Sequence, residues 1–364
     1  MTEAEKLNGV CPLCGDHRGR VVFSGADHLH GVPGSFDVIA CASCELWRQR
    51  APILPEESEQ FYPEEYRPYQ DERSVLPMRK ERISHRLRRN YMQWVAEGKP
   101  SLLGSSLTRV ALVGMGWMLS YTSAFRFNPL AFAAPDKSVL DVGCGTGRFL
   151  AEMAAMGWTP AGIELDRRAA EKASARGIEI HRGAFEAVCR YLPEDRRFDL
   201  ITMRQVIEHF RDPAQALRLA FSRLEPGGFI MIWTPLRDGL MARLFGSHWF
   251  NLDLPRHQVL FHKKSLASIV RQAGFQILEQ RQLSSTKSIT GSLAFYMRDR
   301  KGPERASQIR DSYLLEFACR PVVKLLDFFG AGDNGLIVAR KPGKAHWHFE
   351  IPKPKPEMGM LAHD

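Results

Sequence analysis

The sequence predicts a doubly wound α/β domain on a mostly parallel sheet, with an antiparallel last strand and a small cysteine-bearing module in front. Three observations carry this. Short apolar runs alternate with amphipathic helical stretches from Val139 onward, the order that builds a parallel sheet with helices on both faces. The first run ends at Asp141 and breaks into three glycines at alternate positions, Gly143, Gly145 and Gly147. Two Cys-x-x-Cys pairs, Cys11/Cys14 and Cys41/Cys44, stand near the N-terminus.

The elements follow in order. A strand over 139–141, a glycine turn and a helix start form a unit in which a ligand can lie against bare backbone. The turn is not the G-x-G-x-x-G of dinucleotide binders, because the third required position is Arg148. A second strand over 160–164 ends in an acid, Glu164, and a helix follows over 167–175. A carboxylate there can accept hydrogen bonds from both hydroxyls of a ribose. Strands are predicted over 179–181, 198–203 and 229–233, the last after a turn at 225–228, with a helix from Pro213 to about Leu224. Beyond them come a helix, a Gly and a strand from Lys263 on, a helical insertion over 288–332, and a final strand within 333–342.

With these motifs in this order, the segment resembles class I S-adenosylmethionine-dependent methyltransferases. The glycine turn matches their D-x-G-x-G-x-G motif, Glu164 their second acid, and Phe198-Asp199 and Pro226-Gly227-Gly228 their fourth and fifth strands. The resemblance implies a Rossmann-like fold whose Asp141, Gly143, Gly145, Gly147, Glu164, Glu186 and Arg204 face S-adenosylmethionine. It also implies a proton acceptor at the strands' C-terminal ends. Residues 249–261 are similar to W-x-x-x-D-x-P-R-H-x-x-x-F, a signature among methyltransferases of surface-polysaccharide and secondary metabolism. By it His257 is the expected general base, although Arg256 stands where sugar enzymes carry glutamate and could grip an acidic substrate. Gln205-Val-Ile-Glu208-His209 is similar to the E-x-x-E-H of ubiquinone-biosynthesis O-methyltransferases, with Gln205 replacing the first acid. That substitution weakens a hard-cation site and leaves Glu208 and His209 to orient an acceptor. His248 and His262 read as surface residues, and Cys144, Cys189 and Cys319 lack the setting of a nucleophile.

The flanks bound the rest. The chain of 364 residues carries a net charge of +9. Its start lacks the apolar core of a secretory signal, and seven cysteines fit a reducing compartment, so a cytoplasmic protein is expected. Cys11, Cys14, Cys41 and Cys44 have the spacing of two metal knuckles, hence a structural zinc ribbon over 1–50 with no open coordination position. The ribbon lacks the basic and aromatic density of a nucleic-acid binder. Residues 51–135 read as a connector, with a basic amphipathic stretch over 78–95 and sixteen uncharged residues over 110–125. As a helix those sixteen span about 24 Å, short of a bilayer core, so they form either a helical cap or a surface that lies on the inner face of a membrane. The methyltransferase-like region covers 136–342, and 343–364 reads as a disordered tail. The expected acceptor is a sugar or lipid-linked small molecule. Modification of RNA gripped by the ribbon, or cofactor binding without turnover, are the alternatives.

Overall fold

The computed structural model describes residues 10–53, 61 and 137–343. Apart from residues 51–53, Phe61 and Gly343, the connector and the tail lie outside the described residues.

The N-terminal module is a small antiparallel sheet: β1 (Gly19–Gly25), β2 (Phe36–Cys41) and β3 (Trp47–Gln49). Each Cys-x-x-Cys pair closes a tight turn in which the first cysteine's carbonyl accepts the amide four residues on, Gly15 to Cys11 and Glu45 to Cys41. Both turns need a left-handed residue just after the second cysteine, Gly15 at φ 75° and Glu45 at φ 56°.

The large domain begins with β4 (Ser138–Val142), followed by α1 (Arg148–Ala154), β5 (Thr159–Glu164), α2 (Arg167–Ser174), β6 (Glu179–Arg182) and α3 (Phe185–Tyr191). Then come β7 (Phe198–Arg204), α4 (Pro213–Arg223), β8 (Leu224–Pro235) and α5 (Leu240–Phe245). A two-residue strand, β9 (Val259–Leu260), precedes α6 (Lys263–Gln272) and β10 (Gln276–Leu283). Four helices form the insertion: α7 (Thr286–Lys301), α8 (Pro303–Arg310), α9 (Tyr313–Ala318) and α10 (Arg320–Phe328). β11 (Asn334–Arg340) ends the fold.

Seven strands run in the order β10-β11-β8-β7-β4-β5-β6. Neighbours from β8 to β6 are parallel, and β11 pairs antiparallel with both β8 and β10. This is the doubly wound Rossmann-like sheet with an antiparallel last strand that the sequence predicts. The order reverses between β4 and β7, and a crevice opens at such a switch point beyond the strands' C-terminal ends. β8 is longer than predicted. The Pro-Gly-Gly expected as a free turn is held in the sheet, with Gly227 donating to Lys341 O and Lys341 to Gly228 O.

One core face includes Leu140, Ile201, Ile230 and Ile337 from the sheet, Leu217 and Leu266 from α4 and α6, and Cys11, Cys41 and Leu46 from the cysteine module. The module therefore shares a core with the large domain. Its sheet also continues into it, because β3 pairs antiparallel with β9, Trp47 opposite Leu260 and Arg48 opposite Val259. The sequence reading had neither strand. Among the described residues no helix is long and apolar enough to cross a membrane.

Leu46 is fully buried in this common core. Truncation in Leu46→Ala should cost about 2–5 kcal/mol, and unfolding should stay a single transition by near- and far-ultraviolet circular dichroism in urea. Two separated transitions would show that module and domain fold apart.

Candidate active site

The crevice is built around the turn after β4. Gly143, Gly145 and Gly147 have φ of 67°, 55° and 73°, left-handed values that side chains disfavour. Two of the three also meet neighbours. A Cβ on Gly143 would lie 2.4 Å from Val206 Cγ2, and one on Gly147 would lie 2.9 Å from Ala173 Cβ. At Gly145 no atom lies within 4 Å of that position, so this glycine faces open space. Cys144 is buried against Gly162, whose Cβ would approach its sulfur to 2.6 Å; burial pushes its thiol well up, as suits a packing residue.

Glu164 closes the crevice from β5. Its Oε2 accepts the Gly145 amide at 2.7 Å and its Oε1 the Asp166 amide at 2.9 Å, which ties the second acid to the glycine turn. Asp141 is fully buried and accepts from Thr202 Oγ1 at 2.5 Å and Arg204 Nη2 at 3.1 Å. The Arg204 guanidinium also lies 3.9 Å from the centre of the Phe149 ring, a cation–π contact, while its Nε is buried without a partner. Asp141 thus braces β7 and aims Arg204 across the turn. Glu186 lies in the first turn of α3, half-buried, its carboxyl pushed up by burial. An open cradle, an acid beside it and an orphaned guanidinium nitrogen fit an adenosyl and amino-acid ligand.

A second cluster lies past the ends of β7 and β8. Glu208 is fully buried, accepts from Thr234 Oγ1 at 2.8 Å through Oε2, and leaves Oε1 without a partner. His209 and His257 meet edge to face with ring centres 4.8 Å apart. Their ligand atoms and a Glu208 oxygen lie within 4.8 Å of one another. His257 Nε2 lies 3.9 Å from Glu208 Oε1 and 3.8 Å from Asp253 Oδ2. Burial pushes the His257 imidazole down to about 3 and the Glu208 carboxyl up to about 8. His209 is lowered as well, first by burial.

The structure thus brings His257, His209 and Glu208 together, residues whose ends lie 49 positions apart in the sequence. It corrects other expectations. Arg256 is not free to grip a substrate. It is buried in a bidentate pair with Asp27 of the cysteine module (2.9 and 2.7 Å) and bonds Asp253 at 2.8 and 2.6 Å, which uses most of its donors. Gln205, in place of the first acid, adopts φ 56° and turns its amide to Asn334 Oδ1 at 3.2 Å. Neither His248 nor His262 is a simple surface residue. His248 is half-buried and pairs with Asp299 at 3.0 Å; His262 caps α6 and donates from Nε2 to Cys44 O at 3.2 Å. Asp333 went unnoticed in the sequence. It is buried and accepts from Trp249 Nε1 at 2.7 Å, Asn251 Nδ2 at 3.2 Å and Ser288 Oγ, which fixes the signature segment to the start of β11. Only a contact across 82 residues reveals it.

In the module the four cysteine sulfurs lie within 4.8 Å of one another, with Cys11–Cys44 at 3.4 Å and Cys14–Cys41 at 3.5 Å. Four sulfurs about 2.3 Å from one ion are roughly 3.8 Å apart, so the cluster can hold a tetrahedral metal.

Residues 120–280 match a family described as "Methyltransferase domain" (Methyltransf_23). A ubiquinone biosynthesis O-methyltransferase of Pseudomonas fluorescens is 31% identical over 153 residues, 39% of this chain and 65% of that protein. One from Burkholderia pseudomallei is 27% identical over 155 residues, 40% of this chain and 67% of that protein. The chain thus spans just under two thirds of the Pseudomonas relative. A solved methyltransferase from Archaeoglobus fulgidus is 19% identical with a TM-score of 0.41, over 62% of this chain and 94% of that one. The strand order and the match over residues 120–280 agree on a Rossmann-like fold of the methyltransferase kind.

Glu208 makes stability depend on pH. Its folded-state value of about 8 lies above the ordinary 4.5, so between those values the folded state keeps a proton that the unfolded chain has lost. Raising the pH through this window therefore weakens the fold. Glu208→Gln should remove that loss, so its stability relative to the parent should rise from pH 5 to pH 8 in urea titrations. A difference that does not change with pH would disprove the assignment.

Proposed function

We propose that this protein transfers a methyl group from S-adenosylmethionine to an oxygen of a small amphiphilic acceptor, a sugar or a lipid-linked intermediate. The opening in front of Gly145, beside Glu164 and Arg204, carries the reading. Glu164 would hold the ribose hydroxyls and Arg204 the amino-acid carboxylate, with the glycine turn and Glu186 completing the pocket. The bound cofactor supplies an electrophilic methyl, so the chain's own task is to align the acceptor and remove its proton. An oxygen acceptor is favoured by the names of the relatives, which act in ubiquinone biosynthesis as O-methyltransferases.

Glu208, His209 and His257 would take that proton as a unit. Burial disfavours the charged form of both imidazoles. His209, the half-buried member, offers the way in, and the Glu208 carboxylate would stabilise the imidazolium formed. The four cysteines would hold a structural zinc ion, which leaves no position for substrate. A cytoplasmic site of action next to a membrane suits a lipid-linked acceptor. The RNA reading would require retention on RNA that weakens with salt.

Calorimetry with S-adenosylmethionine and S-adenosylhomocysteine should show one site per chain. Gly145→Val, whose side chain would project into the cradle, should stay folded and lose binding more than about tenfold. No binding to the parent protein would end the proposal. Once an acceptor is found, methylation should rise with pH to a plateau above about 8 as Glu208 ionises, and the rise should vanish in Glu208→Gln. An unchanged profile in that variant would remove Glu208 from proton transfer.

A further inference from the structure

We infer that the cysteine module orients the two imidazoles of the active site, with Gln49 and Asp27 as positioning residues for His257 and His209. That these imidazoles accept the proton rests on the function proposed above; their orientation by the module does not.

Gln49, the last residue of β3, brackets His257. Its main-chain amide donates to Gln258 O at 3.0 Å and its side-chain amide to His257 O at 3.2 Å. Gln258 in turn donates its amide to Glu208 O at 2.8 Å, and its side-chain oxygen accepts the Ile53 amide at 3.0 Å. The peptide that carries His257 is thus held between the module on one side and Glu208 on the other. With its backbone fixed, the ring reaches Asn251 O from Nδ1 at 2.9 Å.

Asp27 acts through Arg256. Both its oxygens bind the guanidinium, Asp253 binds it from the other side, and Phe61 O accepts a further bond at 3.0 Å. The carbonyl of this immobilised arginine meets His209 Nδ1 at 3.1 Å. Asp27 itself is set by amides of Leu29, His30 and Val32 within the module.

A carbonyl can only accept, so Nδ1 carries the proton where it meets Asn251 O in His257 and Arg256 O in His209, whose ring the Gln205 backbone also engages. Nε2 is then the basic nitrogen of each ring, the atom His257 turns toward Glu208 and Asp253. The charged and titratable groups facing the pair are Glu208, Asp253 and Arg256, together with each ring for the other. Further ties hold the module to the large domain. Arg237 donates to Glu45 O at 2.7 Å and lies over the Trp47 ring, and His262 donates to Cys44 O. The module therefore supplies part of the active-site wall from residues more than 200 positions away in the chain.

The test uses the full-length, metal-loaded protein labelled with ¹⁵N in histidine, in which long-range proton–nitrogen correlations report the tautomer and titration of each ring. The parent, Gln49→Met, Gln49→Glu and Asp27→Asn are compared, with His209→Gln and His257→Gln used to assign the signals. In the parent both rings should show a protonated Nδ1, and His257 should not titrate between pH 5 and 8. In the Gln49 variants His257 should lose the single tautomer and titrate near the ordinary value of about 6.5. In Asp27→Asn His209 should change first. Gln49→Glu keeps the size and the main-chain bonds of the residue, so a folded comparison remains if the others unfold. Parental tautomers and titration in folded variants, even with a lowered melting temperature, would overturn the inference and leave the contacts purely structural. S-adenosylhomocysteine binding, measured in parallel, should be unchanged in the variants. Its absence from the parent would sink the methyltransferase proposal without altering what the imidazole signals say.

Discussion

The peptide from Asp253 to His262 belongs to two structures at once, and the rest of the architecture depends on this. On one side it adds a strand to the sheet of the cysteine module. On the other it supplies His257 to a cluster at the ends of β7 and β8. Arg256 makes the sharing obligatory. A fully buried guanidinium needs opposite charge and good hydrogen bonds to offset its lost hydration, and it finds one carboxylate in the module and one in its own turn. Neither half can be taken away without leaving a buried charge exposed to an apolar core.

This arrangement alters how the cysteine cluster is understood. A metal site with four thiolates could be an independent bead tethered to an enzyme. Here Leu46, Cys11 and Cys41 lie in the same apolar cluster as Phe261 and Leu266. Holding the knuckles closed and holding the active-site segment in place are therefore one task. The donor side of the crevice is organised differently. Asp141, Thr202, Glu164 and the glycine turn are bonded within the parallel sheet and its loops, without help from the module. The glycine turn and the imidazole cluster are thus built on separate supports.

The electrostatics of the two sites differ for the same reason. Asp141 has both oxygens engaged by donors, whereas Glu208 is buried with one oxygen unpartnered. A buried carboxylate with one oxygen lacking a donor resists ionisation, and neutral imidazoles beside it resist protonation. Burial thus shifts each member of the cluster toward its neutral form.

Much of this was legible along the chain because it is local. Strand periodicity, the alternate glycines, the acid closing β5 and the two cysteine spacings are set by neighbours a few residues apart, and the strands and turn appear where those patterns put them. The insertion was also legible as helical, since its apolar spacing is a property of each helix alone. What no local pattern contains is pairing over distance. Arg256 looked like a substrate clamp because its partner Asp27 lies 229 residues away. Gln49 and Asp333 carried no signal, since a lone amide or acid acquires meaning only from what packs against it. The sequence by itself determined the sheet, the glycine turn and the spacing of the four cysteines. Only the tertiary structure decided which side chains surround the imidazoles, because burial and long-range hydrogen bonds, not residue type, set their charge and direction.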